Sequence, residues 1–313
     1  MRLIPLLLLL SQWSRVTGDG KEEGELGNTN STSTIKANTS QFLRPKNPPK
    51  YFGIDIDGTL LTSDEEAWEK NIEAFAKVRN EGYIPFLCTG NSLLFSRIKL
   101  GTKFENKTGY QGYPGVYQNG ALVYDENGNV IYSQPFSKEF LKVTHDFLVK
   151  NGLTANIVFY DGEELFSLVG DDNVLKNLFS AKYTVLKVLT FEEILKKNIL
   201  MLKYRDFDFN VPEAEKGIDY VEKMDINGAH DVTPPGGTKA LGVTKLLEHY
   251  SLSSEYCGFI GDGYNDIEAM NLFPLSFAVA NAPDEVKKHA KFVLDKTCDQ
   301  AAVAEALKLT YGL

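Results

Sequence analysis

From residue 51 onward, short apolar runs bounded by turn residues alternate with longer stretches in which apolar residues recur every three or four positions. The first pattern reads as buried strands and the second as helices with one buried face. Residues 51–54, 83–87 and 256–260 are such strands. Residues 64–81 carry Ile72, Phe75 and Val78 on one helical face and stop at Gly82. A short helix is expected near 93–100. Asn127-Gly128, between apolar runs at 121–124 and 130–132, predicts a hairpin. Regular alternation of strand and helix predicts the α/β class, with a doubly wound, mainly parallel, Rossmann-like core sheet.

The middle of the chain has its own rhythm. Ser137 caps a helix bearing Phe140, Leu141, Phe147 and Leu148, which Gly152 ends. Residues 157–160 and 165–169 flank Asp161-Gly162 as a second hairpin. Thr190 and Glu193 form a capping box, 199–204 reads as a strand, 213–221 as a helix, and a last strand falls near Met224. These elements predict an inserted α/β unit at 135–228, with the core at 51–134 and 229–313. After it, helices are expected at 239–249, 266–272, 284–290 and 300–309, a strand at 276–279, and an edge strand at 292–294.

The first fifty residues break the pattern. Met1-Arg2 precedes an apolar run from Leu3 to Leu10, and Val16-Thr17-Gly18 offers small residues for cleavage. This predicts a signal peptide at 1–18 and a secretory or secreted protein; a cytoplasmic protein with a mis-assigned start is the alternative. The run is too short to span a bilayer, so no stable membrane span is expected. Residues 19–50 are polar and poor in aromatics, which predicts a disordered leader.

A net charge of −9 and a pI near 5.1 count against a nucleic-acid partner, since a phosphate backbone calls for a basic face. Three cysteines, Cys88, Cys257 and Cys298, make an odd number without metal-ligand spacing and read as small buried hydrophobes. The oligomeric state is not legible.

Chemistry enters at Asp55-Ile56-Asp57-Gly58-Thr59-Leu60, directly after the first strand. Two carboxylates so close at the end of a buried strand repel unless a cation holds them. A divalent metal would do so and would leave one Asp able to act as a nucleophile. Three further segments recur in order. Cys88-Thr89-Gly90-Asn91 follows the second strand, Gly236-Gly237-Thr238-Lys239 opens a helix, and Gly261-Asp262-Gly263-Tyr264-Asn265-Asp266 follows a third strand. Loops at the carboxyl ends of parallel strands converge, so residues about 200 apart in sequence can share a site.

In order and spacing the four segments resemble the haloacid dehalogenase-like hydrolases, and among them the Cof-like phosphatases with a large α/β cap, over residues 50–313. The resemblance implies Mg²⁺ held by Asp55, the backbone carbonyl of Asp57 and Asp262, with Asp266 in support. Hard oxygen ligands suit that ion. Asp55 would attack phosphorus, and Asp57 would protonate the leaving alkoxide and then deprotonate water. Thr89, with the backbone N–H groups of Gly90 and Asn91, would bind the phosphoryl oxygens. Lys239 would neutralise charge on the nucleophile and phosphoryl group, and Asn265 would touch the phosphate or orient Lys239. Cof-like proteins often carry Arg at the position of Asn91. Asn119-Gly120 resembles a Cof-like segment near the site. Because a halide leaving group needs no proton, Asp57 points to a phosphate ester.

The expected function is Mg²⁺-dependent hydrolysis of a small phosphorylated metabolite, a sugar phosphate first, through an aspartyl phosphate. A phosphomutase with a similar core and cap, and a secreted interaction protein that keeps the fold without turnover, are the alternatives.

Overall fold

The computed structural model describes residues 37–38, 42–170, 186–224 and 228–313. The expected signal peptide and most of the expected leader lie outside these residues. In chain order the strands are β1 (Ala37–Asn38), β2 (Tyr51–Ile54), β3 (Ile84–Cys88), β4 (Gly115–Tyr117), β5 (Leu122–Tyr124), β6 (Val130–Ser133), β7 (Ile157–Asp161), β8 (Glu164–Ser167), β9 (Leu186–Val188), β10 (Met201–Tyr204), β11 (Val221–Met224), β12 (His230–Thr233), β13 (Cys257–Gly261), β14 (Leu275–Ala278) and β15 (Phe292–Val293). The helices are α1 (Glu65–Asn80), α2 (Leu93–Thr108), α3 (Lys138–Asn151), α4 (Phe191–Ile194), α5 (Lys239–His249), α6 (Ile267–Leu272), α7 (Asp284–Lys287) and α8 (Ala302–Tyr311).

Two sheets form. The core sheet runs β1-β15-β14-β13-β2-β3-β4-β5-β6, parallel from β1 through β4 and antiparallel beyond. Its central strands β2 and β13 are buried on both faces, which explains the unbroken apolar runs Tyr51–Ile54 and Cys257–Gly261. The second, cap sheet runs β11-β12-β10-β7-β8-β9 and is antiparallel except for β8 with β9. Each sheet has its own core. Phe52, Ile54, Phe86 and Phe259 belong to the first, and Phe140, Phe159, Phe166 and Leu202 to the second.

Local chemistry sets the helix ends. The Asp64 carboxylate accepts the Ala67 N–H at 2.8 Å and starts α1, while Ile72, Phe75 and Val78 fill its buried face. Ser137 starts α3 in the same way, and Gly152 closes it in the left-handed region. The Thr190–Glu193 capping box forms as read.

Four expectations change. Residues 213–221 are not a helix: Gly217, at φ +92°, closes a turn whose N–H donates to Tyr220 O, and buried Tyr220 anchors the loop. The cap sheet includes β12, so the return to the core falls after Thr233 and not after 228; His230–Thr233 is short and too polar to announce itself as a strand. β15 is not the sheet edge, because β1 pairs outside it. The expected leader therefore does not extend to 50. Phe42 packs on Phe292 and Phe277, with centroids 4.9 and 5.7 Å away, and the core sheet begins at Ala37.

Candidate active site

Strands β13, β2 and β3 lie side by side and point the same way, with Ile260 opposite Ile54 and Ile54 opposite Leu87. The next residues along each strand are therefore neighbours. β2 feeds Asp55, β3 feeds Thr89, and β13 feeds Asp262. The chain order reverses between β13 and β2, the kind of crevice where open α/β sheets build sites.

Asp55 is buried, with its N–H donating to Ile260 O at 3.1 Å. The chain then makes one wide turn, Ile56–Leu60, with Gly58 at φ +75°. A Cβ on Gly58 would also fall 2.3 Å from Asp262 Oδ2, so both backbone conformation and space require glycine there. The Thr59 hydroxyl crosses to donate to Asp262 Oδ1 at 2.8 Å.

Lys239 enters from the first turn of α5, whose N-cap is Thr238. Its side chain is fully buried, and its ammonium donates to Asp55 Oδ1 at 2.6 Å and Asp266 Oδ1 at 2.7 Å. Burial alone would lower the Lys239 pKa, but the carboxylates of Asp266 and Asp55 outweigh it and raise it well above the ordinary value. Asp266 spends its other oxygen on the N–H groups of Asp262 and Gly263, at 3.0 and 2.8 Å. It thus shapes the loop as well as pairing with Lys239, and its side chain makes no cap on α6.

One cation faces three carboxylates here. Asp55, Asp262 and Asp266 can bring ligand oxygens within 4.8 Å of one another. Burial, followed by the charge of Asp266, pushes the Asp262 pKa up to about 6. Burial also raises Asp55 well above the carboxylate range, despite the help of Lys239. Both shifts reflect first the cost of burying a carboxylate and then the neighbouring carboxylates, which share one lysine. All the donors are hard oxygens, a set that fits a hard divalent cation.

The other expected residues gather around this cluster. Thr89 is buried and its Oγ1 accepts from the backbone and side-chain amides of Asn91, both at 3.1 Å. Asn265 does not reach Lys239; it donates to Asn119 Oδ1 at 2.9 Å, and Asn119 is buried. Asn119 in turn donates to Asp231 Oδ2 at 3.1 Å, which ties the core to cap strand β12. Asp57 is more open than Asp55 and is held by Asn91 and Lys99.

Three polar residues at the site were not legible in the sequence. Lys99 lies two helical turns beyond Asn91 on α2. Asp231 and Lys203 form a pair at 2.8 Å on β12 and β10, and a Cβ on Gly90 would lie 3.2 Å from Asp231 Oδ2. Only the three-dimensional return of cap strands over the Thr89 loop brings them in. By contrast, Asp161 and Glu164 face Lys197 and Lys187 on the cap and do not enter this network. Cys88 lies under the site, and burial raises its thiol pKa well above the usual value, which fits a packing role.

A family model for haloacid dehalogenase-like hydrolases matches residues 52–307. The chain belongs to that family. A crystal structure of a HAD/Cof-like hydrolase from Plasmodium vivax is 30% identical and superposes with a TM-score of 0.73, covering 84% of this chain and 96% of that one. YkrA of Bacillus subtilis, named as a phosphatase, is 28% identical over 270 residues, 83% of this chain and 96% of its own length. YwtE of the same organism, a 5-amino-6-(5-phospho-D-ribitylamino)uracil phosphatase, is 24% identical and covers 82% of this chain and 96% of its own. This haloacid dehalogenase-like hydrolase is a phosphoric monoester hydrolase of Cof-like type. Among its described residues no helix is long and apolar enough to cross a membrane.

Proposed function

We propose that the chain is a Mg²⁺-dependent phosphatase that hydrolyses a small sugar or polyol phosphate through an aspartyl phosphate on Asp55. The observation that carries this reading is the buried Asp55–Lys239–Asp266 triad with Asp262 beside it. A bound Mg²⁺, held by Asp55, Asp262 and the carbonyl of Asp57 with Asp266 in support, would neutralise phosphoryl charge.

In the first step an Asp55 oxygen attacks phosphorus and the ester P–O bond breaks. The leaving oxygen takes the bond's electron pair and a proton from Asp57. In the second, water attacks phosphorus, Asp57 takes its proton, and the bond to Asp55 breaks to release inorganic phosphate. Lys239 stays beside Asp55 throughout and stabilises the charge that builds there. In this reading the N–H of Gly90 would bind a phosphoryl oxygen with Thr89, and the Asn91 N–H, which donates to Thr89 Oγ1 at 3.1 Å, would turn from it to a second. A polar substrate is supported by the cap: Asp231 and Lys203 stand over Gly90 and Asn119, where carboxylate and ammonium can bind hydroxyls. YwtE, named for a ribityl phosphate, points to the same substrate class.

The test is phosphate release by the full chain from a panel of sugar, polyol and nucleotide monophosphates, with Mg²⁺ and with a chelator. Release that needs Mg²⁺ and favours sugar or polyol esters is expected. Isomerised ester without net phosphate would make the protein a mutase, and release unaffected by chelator would remove the metal from the mechanism.

Stability carries a separate signature. An unfolded Asp titrates near 4, whereas Asp262 in the fold titrates about two units higher, at about 6, and Asp55 is also raised. The metal-free fold therefore holds protons that the unfolded chain releases, and its stability falls as pH rises from about 4 through 6. Melting of chelated protein between pH 5 and 8 should show Tm declining with pH. Saturating Mg²⁺ should raise Tm at pH 8 and flatten that decline. A chelated protein whose Tm rises over this range would contradict the charge balance derived above.

A further inference from the structure

Lys239 is committed to Asp55 and Asp266, on the nucleophile side of the site. The opposite side has a second cation that the motifs do not contain. Lys99 donates to Asp57 Oδ1 at 2.7 Å and to Oδ2 at 2.8 Å, and lies 3.4 Å from Asn91 Oδ1. The Asn91 side-chain amide donates to Asp57 Oδ2 at 2.7 Å and to Thr89 Oγ1 at 3.1 Å. Lys99 thus grips both oxygens of the Asp57 carboxylate, and Asn91 links that carboxylate to the phosphate loop.

An exposed ion pair on a helix would contribute little, but this one differs in three ways. The Lys99 side chain is only 20% exposed. Its ammonium is steadied by the Phe95 ring one turn earlier, 4.8 Å from the centroid. The helix also breaks at Gly101, with φ +74° and ψ +169°, two residues past Lys99. The straight part of α2 therefore runs from the phosphate loop to Lys99. Asp57 itself sits in a wide turn with extended backbone at φ −75° and ψ +122°, so neighbouring helical packing does not fix its side chain. The hydrogen bonds on its carboxylate come from Lys99 and Asn91.

We propose that Lys99 is the positioning residue for Asp57: with Asn91 it holds Oδ2, while Oδ1, released from Lys99, carries the proton to the leaving oxygen in the first step and takes one from water in the second. This inference rests on the acid/base assignment of Asp57 made above. It also accounts for an Asn at position 91, since the positive charge on this side of the site arrives from eight residues further along the chain.

The experiment compares full-length wild type, Lys99→Met, Lys99→Arg and Asp57→Asn on two esters with Mg²⁺, with melting curves as a control for folding. p-Nitrophenyl phosphate has a leaving group that needs no proton; a sugar phosphate needs one. Lys99→Met should lower kcat/KM on the sugar phosphate about 10-fold or more, within the usual range for acid/base assistance. On p-nitrophenyl phosphate it should keep kcat/KM within about 3-fold, lose kcat, and show a burst of nitrophenol as aspartyl phosphate accumulates. Lys99→Arg should recover part of the loss. The proposal is overturned if a folded Lys99→Met matches wild type on both esters, or loses kcat/KM equally on both. Asp57→Asn separates the two levels of argument. If it shows the burst and leaving-group dependence while Lys99→Met does not, the positioning role fails and the acid/base assignment stands. If Asp57→Asn lacks them, the assignment fails, and the inference with it.

Discussion

Asp55→Asn is expected to lower phosphate release by about 10⁴-fold or more, since removing a covalent nucleophile leaves only binding and electrostatic catalysis. The same change should leave the metal-free fold as stable as wild type or more so. Burial raises the Asp55 pKa, so its charge is a cost to the fold, and Lys239 keeps its second partner, Asp266. The measurement is steady-state phosphate release with Mg²⁺ beside a melting curve in chelator. Retention of activity within tenfold would show that Asp55 is not the nucleophile. A large drop in Tm would show that its charge is structural. Activity lost together with stability gained is the pattern of a residue kept for chemistry.

Lys239→Met carries the second large effect, with the opposite stability sign. The side chain is completely buried, and Met fills comparable space without the charge. Removing one member of a buried ion pair strands the others, at about 3–5 kcal/mol. Here two carboxylates are stranded together, Asp55 and Asp266, beside a third at Asp262. Chelated Lys239→Met should therefore unfold at markedly lower denaturant than wild type, and Mg²⁺ should recover part of the difference by supplying positive charge. Activity should fall by about 10²–10³ even with saturating Mg²⁺, the scale for loss of one preorganised electrostatic donor. A variant as stable as wild type in chelator would mean that the cluster's charge is balanced by some other means.

These effects centre on residues that the sequence exposes well. Asp55, Thr89 and Asp262 each follow an apolar run directly, and parallel strands bring such positions together whatever their separation along the chain. Lys239 was legible only through its place after Gly236-Gly237-Thr238, since nothing about a single lysine announces complete burial. What the sequence hides is what tertiary geometry supplies. Lys99 looks like one of several basic residues on α2, and its role depends on how that helix leaves the phosphate loop. Asp231 sits in a four-residue strand, His230–Thr233, whose mixed polarity gives no period to detect. The turn at Gly217 defeats the helical composition of 213–221, because one residue at positive φ outweighs several helix-favouring neighbours. Gly101 is the opposite case: α2 breaks there, and packing of Phe104 in the core holds a second helical stretch beyond it.

The two-residue strand at Ala37–Asn38 changes what counts as the beginning of the working enzyme. It lies along Phe292–Val293 and occupies the hydrogen-bonding border of the nine-stranded sheet, with Phe42 folded over Phe277 and Phe292 behind it. An uncovered border of this kind is a template on which another polypeptide can add a strand. A protease cut or a truncation between residues 42 and 50 would spare every residue of the catalytic cluster and still leave that border bare. The segment just ahead of the first catalytic strand thus acts as a hem: it holds no residue of the catalytic cluster and covers the border that β15 would otherwise present.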